Sequence, residues 1–431
     1  MNDLVPQDHL VRKIDHSIDF DFIHDLVSPL YCSDNGRPPF DPTKLFKLLL
    51  VGYLFGIRSE RQLMREVQVN VAYRWFVGLS LTEKVPDAST LSQNRRRRFN
   101  ESDVYQEIFN EIVLQAIEKG LVTGEILYTD STHIKANANT HRFEKGEVEP
   151  LVKDYLDELD AAIEEDRQQH GKKPLKAVDR TPEPRQVKRS TSDEDAGYMV
   201  RDGKPKGFFY LDHRTVDGEH NLITDVHITP ATTHDSVPYL SRLDEQCQRF
   251  NFNPVAVGLD AGYFTAGICK GLEKRQIYGV ISYRRPVHRK GYFYKREYQY
   301  DQSRDVYVCP NGEELTYRST NRLGYREYKS DPTACVKCGL RERCTKSRIK
   351  QKTITRHVWE DSKERINQHR LTPWGKAIYK RRKETVERSF ADAKQLHGYR
   401  YARFRGTSKV QAQALMVATA QNIKKIAMLA I

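Results

Sequence analysis

Two short apolar runs, each closed by an aspartate, constrain this chain most: Ile126-Leu127-Tyr128-Thr129-Asp130 and Val255-Ala256-Val257-Gly258-Leu259-Asp260. The second carries no polar side chain before its carboxylate. As a strand it must be covered on both faces, which places helices on both sides of a sheet. Between the runs, Phe208-Phe209-Tyr210-Leu211 opens a strand, Asp217-Gly218 marks a hairpin turn, and Leu222, Thr224, Val226 and Ile228 alternate on the return strand. Helices are expected near 235–250 and 265–274, and Tyr278-Gly279-Val280-Ile281 reads as the next strand.

The order is strand, insertion, two-stranded hairpin, helix, strand, helix, strand. It predicts an α/β fold with an RNase H-like mixed sheet. At about 150 residues per domain, a chain of 431 residues holds two or three domains. Residues 1–120 read as a helical domain. Asp41-Pro42 is a cap followed by proline, with Leu45, Leu48, Leu49 and Tyr53 at helical spacing and Gly56 as a stop. Asp87 would cap a helix carrying Arg95, Arg96, Arg97 and Arg98, as in a helix-turn-helix-like DNA-binding module; a solvated basic face is the plainer alternative. Residues 121–282 would hold the first part of the core. Its polar stretch, about 137–205, would be one amphipathic helix (Leu151, Tyr155, Leu159, Ala162) within an insertion or flexible linker. Residues 283–370 are a basic, Tyr-rich and Cys-rich insertion. Residues 371–431 return to the core with a helix from Thr372-Pro373 to about His397, whose Val386, Phe390, Ala393 and His397 share a face, and a last helix over about 408–429.

Lys and Arg number 71 against 58 Asp and Glu, a net charge of +13 that suits a polyanionic partner. Mean hydropathy is −0.71, and the longest mostly apolar stretch, Leu45 to Ile57, falls short of the ~20 residues that span a bilayer, so no membrane role is expected. Met1-Asn2-Asp3-Leu4-Val5 shows neither the basic nor the apolar region of a secretory signal, so a cytoplasmic location is expected.

Asp130 and Asp260 end strands that the order makes neighbours, and Glu387 lies on the helix that would pack across them. Three clustered carboxylates need a cation, and Mg²⁺, a hard ion that prefers oxygen, fits them. Two such ions ~3.5–4 Å apart would serve in-line phosphoryl transfer on nucleic acid. Cations surround Glu387: Lys383, Arg388 and Lys394, then Arg400, Arg403 and Arg405. Local ion pairs on a solvated helix would explain them as well.

Tyr128-Thr129-Asp130-Ser131-Thr132, Val257-Gly258-Leu259-Asp260-Ala261-Gly262-Tyr263 and Val386-Glu387-Arg388-Ser389-Phe390 resemble the three catalytic motifs of DDE transposases from bacterial insertion sequences. The resemblance implies an RNase H-like core that cuts element ends and transfers strands with two Mg²⁺ ions, Asp130, Asp260 and Glu387 being catalytic and metal-binding. It also implies double-stranded DNA, both element ends and target, as the partner, a dimer on DNA, and a bacterial, nucleoid-associated location. Tyr379, Arg382, Glu387 and Lys394 correspond to the family's Tyr–Arg–Glu–Lys signature, but Lys383 stands where the signature has Arg. With Arg95–Arg98, Arg388, Arg403 and Arg405, the signature's Tyr379, Arg382 and Lys394 make up the expected DNA-binding set. Pro39-Phe40-Asp41-Pro42, Tyr73 to Leu79, and Asp87-Ala88-Ser89-Thr90-Leu91 are similar to the family's N-terminal DNA-binding domain. Thr229-Pro230-Ala231-Thr232-Thr233-His234-Asp235-Ser236 also matches the family pattern. A domesticated DNA-binding protein and a structure-specific nuclease are the rival readings.

Cys309, Cys335, Cys338 and Cys344 form C-x25-C-x2-C-x5-C, a pattern that suits four thiolates around structural Zn²⁺, with an iron–sulfur cluster or free thiols as alternatives. Such a metal would organise an insertion too polar to fold around an apolar core. Cys32, Cys247 and Cys269 read as ordinary semi-buried residues. Tyr283-Arg284-Arg285, His288-Arg289-Lys290 and Tyr292 to Arg296 interleave cations and aromatics, as a DNA contact or a solvated strand face would. Trp359 and Trp374 are expected to pack in cores, and His133 and His234 to be hydrogen-bonding neighbours of the carboxylate site.

Overall fold

The computed structural model describes residues 1–31, 40–99, 102–148, 155–176, 185–200, 203, 205–284 and 289–429. In chain order come helices α1 (Leu10–Ser17), α2 (Phe22–Val27), α3 (Pro42–Leu54), α4 (Glu60–Val69), α5 (Val71–Val77), α6 (Ala88–Asn94) and α7 (Val104–Glu118). Strands β1 (Ile126–Lys135) and β2 (Phe143–Val148), helix α8 (Leu156–Gln169), and strands β3 (Arg185–Ser190), β4 (Gly197–Met199), β5 (Gly207–Asp217) and β6 (Ile223–Pro230) follow. Next are α9 (Tyr239–Phe250), β7 (Ala256–Leu259), α10 (Ala266–Lys274), β8 (Tyr278–Ile281), β9 (Gln299–Asp301), β10 (Val306–Val308), β11 (Glu314–Thr320) and β12 (Tyr325–Ser330). The chain closes with α11 (Pro332–Val336), α12 (Arg341–Cys344), β13 (Thr353–His357), α13 (Glu360–His369), α14 (Pro373–Arg381), α15 (Val386–Leu396) and α16 (Thr407–Leu429).

The chain divides into two units, Met1–Leu151, Glu183–Leu259 and Ala377–Ile431 in the first, Val152–Pro182 and Asp260–Lys376 in the second. The first is a mixed α/β structure. β5 pairs antiparallel with β1 on one edge and with β4 and β6 on the other, and β7 pairs parallel with β1. All eleven residues of β5 and all four of β7 are buried, as expected of strands covered on both faces. α16 explains why the N-terminal helices belong to this unit. It packs on α1, α3 and α7 and also on β6. A helix flanked this way is apolar around much of its circumference, and Val410, Ala414, Val417, Ala420, Ile423 and Ile426 are all fully buried.

Local signals hold at the helix starts. Asp41 accepts the Lys44 N–H at 3.0 Å, with Pro42 at the first helical position. Gly56 ends the α3 turn at φ +68°, and a Cβ there would stand 2.8 Å from the Leu396 carbonyl oxygen, so both conformation and space demand glycine. Two expectations change. The polar stretch is not simply a linker around one helix: β2 and β3 pair as an antiparallel two-stranded sheet, and α8 begins at Leu156 (Leu151 lies outside the described residues). The single helix expected from Thr372 to His397 is broken at residues 382–385 into α14 and α15.

The second unit holds an antiparallel sheet in the order β13-β12-β11-β10-β9. Polar composition implied that this segment would lack an apolar core, and the structure corrects that. Tyr298, Tyr307, Leu315, Tyr328 and Ile354 form a buried cluster, with tyrosine rings supplying the apolar bulk. The hydroxyls of Tyr300 and Tyr328 both donate to Asp305, each at 2.6 Å, which satisfies their polar ends. α8 docks on β11: its buried Asp166 pairs with Arg326 at 2.6 Å and accepts from Thr320. Leu159, Ile163 and Trp359 make a second cluster, so Trp359 is a core residue as expected, while Trp374 is 43% exposed beside Tyr278. Among the described residues no helix is long and apolar enough to cross a membrane.

Candidate active site

β1 and β7 are in register with Thr129 opposite Leu259, and Asp260 follows β7 as expected, whereas Asp130, expected to end its strand, lies midway along β1, which runs on to Lys135 paired with β5 and loses only its β7 partner at this point. Gly258 permits this pairing: a Cβ there would lie 2.7 Å from the ring of Tyr128, its register partner. Asp260 is the first residue of the second unit and precedes a single 3₁₀ turn, its carbonyl accepting the Tyr263 N–H at 3.1 Å.

Asp130 and Glu387 share one cation. Asp130 Oδ1 accepts the Ser131 N–H at 2.8 Å, and Oδ2 accepts Arg382 Nη2 at 2.6 Å. Arg382 Nη1 lies 3.9 Å from Glu387 Oε1 and 3.4 Å from the Tyr379 hydroxyl. The guanidinium is buried, its side chain 4% exposed, while Glu387 is 47% exposed. The backbone explains how Arg382 serves although it stands five residues before Glu387. The Glu387 N–H donates to the Arg382 carbonyl at 3.1 Å, an i to i−5 bond, and the Thr385 hydroxyl donates to Arg381 O at 2.9 Å. This wide turn absorbs the extra residue, so Arg382 points inward and Lys383 outward. Lys394 Nζ donates to Thr132 Oγ1 at 2.5 Å; Thr132 is two positions from Asp130 on β1 and therefore on the same face of the sheet.

A buried network that sequence reasoning missed lies alongside. Asp212 and Arg214, both 0% exposed on β5, form a 2.7 Å ion pair. Arg214 Nη1 also donates to Ser389 Oγ on α15 at 2.8 Å and to Gln421 Oε1 on α16 at 2.9 Å. Arg214 is the register partner of Asp130. Burial pushes the Asp212 carboxyl up, and Arg214 pulls it back toward ionisation. The signal was present: two charges at i and i+2 within Leu211 to Val216 share one face of a strand otherwise built for burial. Ser131 Oγ donates to Asp235 Oδ1 at 2.8 Å, which ties the segment after β6 to β1, and His234 Nδ1 bonds Ser236 Oγ at 2.8 Å.

The expected DNA-binding residues are dispersed over the first unit. Arg95–Phe99 forms a π-type turn rather than more α-helix. Arg95 is engaged, 2.5 Å from Glu60 and stacked 4.3 Å over Phe404; Arg98 donates to Asn94 at 2.8 Å and covers Tyr31; Arg96 and Arg97 are exposed. Arg388 pairs with Asp392 at 2.9 Å, Arg403 lies 4.6 Å over Tyr53, and Arg405 donates to Asn137 O at 3.0 Å. Arg58, Arg61, Arg65, Lys84 and Arg403 line a cleft of about 1360 Å³ walled by Leu63, Met64 and Pro86.

In the second unit Cys309 and Cys344 both pack against the tyrosine cluster, and the Tyr298 hydroxyl lies 3.0 Å from Cys344 Sγ. Cys335 Sγ donates to Ser330 Oγ at 3.1 Å, and the Cys338 N–H returns to Cys335 O at 3.3 Å. Burial, with Cys335 and Cys309 nearby, pushes the Cys344 thiol up. Among the described residues no three His, Cys, Asp or Glu side chains are arranged as a metal-holding group, for the carboxylates or for these thiols. Cys247 is half-buried as expected, Cys269 is fully buried rather than half-buried, and Cys32 lies outside the described residues. Arg289 covers Tyr292 at 5.0 Å and Arg296 covers Tyr294 at 4.7 Å; residues 285–288 lie outside the described residues.

With this geometry in view, residues 1–97 match the family model described as a transposase domain (DUF772), and residues 308–427, which include Glu387, match that of the transposase DDE domain. Both matched segments are transposase segments, which defines the class of protein. The chain belongs to the DDE transposases. Residues 98–307, with Asp130 and Asp260, lie outside both matches. No curated protein matches. A solved cryo-EM structure, of a piggyBac transposase synaptic complex with hairpin DNA, is similar at a TM-score of 0.36 and 11% identity, over 97% of this chain and 72% of that one.

Proposed function

We propose that this transposase cuts DNA at inverted-repeat ends of an insertion sequence and joins the released strand to target DNA, using Asp130, Asp260 and Glu387 to hold two Mg²⁺ ions. The observation that carries the reading is the convergence of Asp130 and Glu387 on one cation, Arg382. The three residues are hard oxygen donors with no sulfur or imidazole among them, which suits Mg²⁺. Bound ions would activate the attacking oxygen and stabilise the leaving oxygen of a phosphodiester. The strand order β6-β5-β1-β7, antiparallel until the parallel β7, supports an RNase H-like core.

The basic cleft and the exposed Arg96 and Arg97 would take duplex DNA by its phosphates, with Arg388, Arg403 and Arg405 as further contacts and two copies acting on paired ends. Zinc belongs to the same reading: Cys309, Cys335, Cys338 and Cys344 would hold one Zn²⁺ at the edge of the tyrosine cluster, supported by their spacing and by the placement of Cys309 and Cys344.

The test uses oligonucleotides from the DNA flanking the gene and a supercoiled target plasmid. Wild-type protein should nick the ends and join them to the plasmid only with divalent metal. Asp130→Asn, Asp260→Asn and Glu387→Gln should bind the ends but do neither. Strand transfer by the Asp260→Asn protein would overturn the assignment. Affinity for the ends should fall steeply with salt, and a flat response would remove the phosphate-binding role of the cleft.

A further inference from the structure

We infer that Arg382 is a built-in countercharge that holds Asp130 and Glu387 in the metal-free protein, and that divalent metal binds only by displacing its guanidinium from Asp130. The inference rests on the carboxylate reading above. Arg382 Nη2 sits 2.6 Å from Asp130 Oδ2, and Nη1 lies 3.9 Å from Glu387 Oε1, so one planar fork faces both carboxylates. The guanidinium has little access to water, its side chain being 4% exposed. The wide turn through residues 382–385 is what directs it inward: with regular helical spacing Lys383 would occupy the stripe, and an exposed lysine would leave Asp130 without this partner. Stacking against Tyr379, with Cζ 5.4 Å from the ring centroid, fixes the plane of the fork.

A dication bonded to Asp130 Oδ2 would stand against the guanidinium 2.6 Å from that oxygen, and the two positive charges repel in a site with little water. Arg382 and the metal therefore compete, and the apparent metal affinity is the intrinsic affinity scaled by the fraction of protein in which the guanidinium has withdrawn. The arrangement holds two neighbouring carboxylates around one guanidinium before metal arrives, at the expense of weaker loading. A side chain so released stays anchored by its backbone beside the site, where a phosphate oxygen is an alternative partner.

The experiment is Mn²⁺ titration of the full-length, DNA-free protein, read by calorimetry and by the loss of free-ion EPR signal. Arg382→Gln should bind Mn²⁺ at least about fivefold more tightly than wild type, because the guanidinium no longer competes for Asp130. Arg382→Lys keeps the charge without the fork and should fall between the two. If the glutamine variant fails to give a cooperative melt, the lysine variant decides: tighter binding than wild type supports the inference, equal or weaker binding overturns it. Asp130→Asn separates the two claims. If it weakens Mn²⁺ binding but neither Arg382 variant strengthens it, the competition is wrong and the carboxylate site stands. If it leaves Mn²⁺ binding unchanged, both fall.

Discussion

Arg214 Nη1 donates to the hydroxyl of Ser389 at 2.8 Å, which ties the strand beside Asp130 to the helix that carries Glu387. With Gln421 and Asp212 as its other partners, this one buried guanidinium fastens β5, α15 and α16 together. The relative position of Asp130 and Glu387 thus depends on a residue that need not touch substrate.

Removing that cation should therefore cost stability first. Arg214→Met strands the Asp212 carboxylate in a site with no exposure, and breaking a buried pair from one side costs about 3–5 kcal/mol. Urea unfolding should show the loss, and the double variant Asp212→Leu/Arg214→Met should recover much of it, because the uncompensated charge is gone.

Acid should weaken the first unit before the carboxylates protonate. Burial holds His213 down at about 3 and His227 at about 4, with Arg242 lowering both and the neighbouring Asp225 opposing at His227. Both fold as neutral imidazoles, whereas in the unfolded chain they take up protons near the ordinary value of about 6.5. Their contribution is therefore fully present above about pH 6.5 and lost as pH falls toward 4 and then 3. The slope should approach about 1.4 kcal/mol per pH unit for each histidine. His227→Gln should flatten the stability profile between pH 4 and 6.5, as measured by denaturant midpoints at each pH.

Glu387→Gln should lower end cleavage by about 10²–10³ or more, since it removes charge from the transition-state environment. The carboxylate is half-exposed and approaches Arg382 no closer than 3.9 Å, too loosely to anchor the fold, so folding and DNA affinity should hardly change. Gel-based cleavage and a binding isotherm on the same DNA separate the two effects.

Protein purified without added metal should carry about one zinc per chain, by elemental analysis, if the four thiols act together. Cys338→Ser should remove it and lower the melting temperature of the second unit only modestly, because the Tyr298–Tyr328 cluster supplies a core of its own. Less than a tenth of an equivalent in wild-type protein would retire the site.

Much of the first unit was legible because its signals are short-range. The apolar run before Asp260, the hairpin turn at Asp217-Gly218 and the stripe Val386, Phe390, Ala393 and His397 are periodicities of neighbouring residues, and burial follows them except at Val255, which precedes β7 and is exposed. The tyrosine core of the second unit was not legible, since its rings come from separate segments of the chain, Tyr298 and Tyr328 standing among charged residues and Tyr307 in a strand of only three residues. The two-stranded pairing of β2 with β3 was hidden for a similar reason: about forty residues separate partners that carry no apolar pattern.

The order of the core strands, the aspartate that follows β7, the glutamate helix and the excess of positive charge follow from the sequence alone, because propensity, spacing and charge are local or additive properties; that β1 runs on past Asp130 to Lys135 does not, because its partner there is the distant β5. Only the tertiary structure decided that Arg382 rather than Lys383 faces Asp130, that Asp212 and Arg214 are buried as a pair, and that α16 packs on both the N-terminal helices and the sheet. Each depends on which of several nearly equivalent local geometries is favoured by packing against distant residues, and a single i to i−5 hydrogen bond at Glu387 is enough to change which cation the site receives.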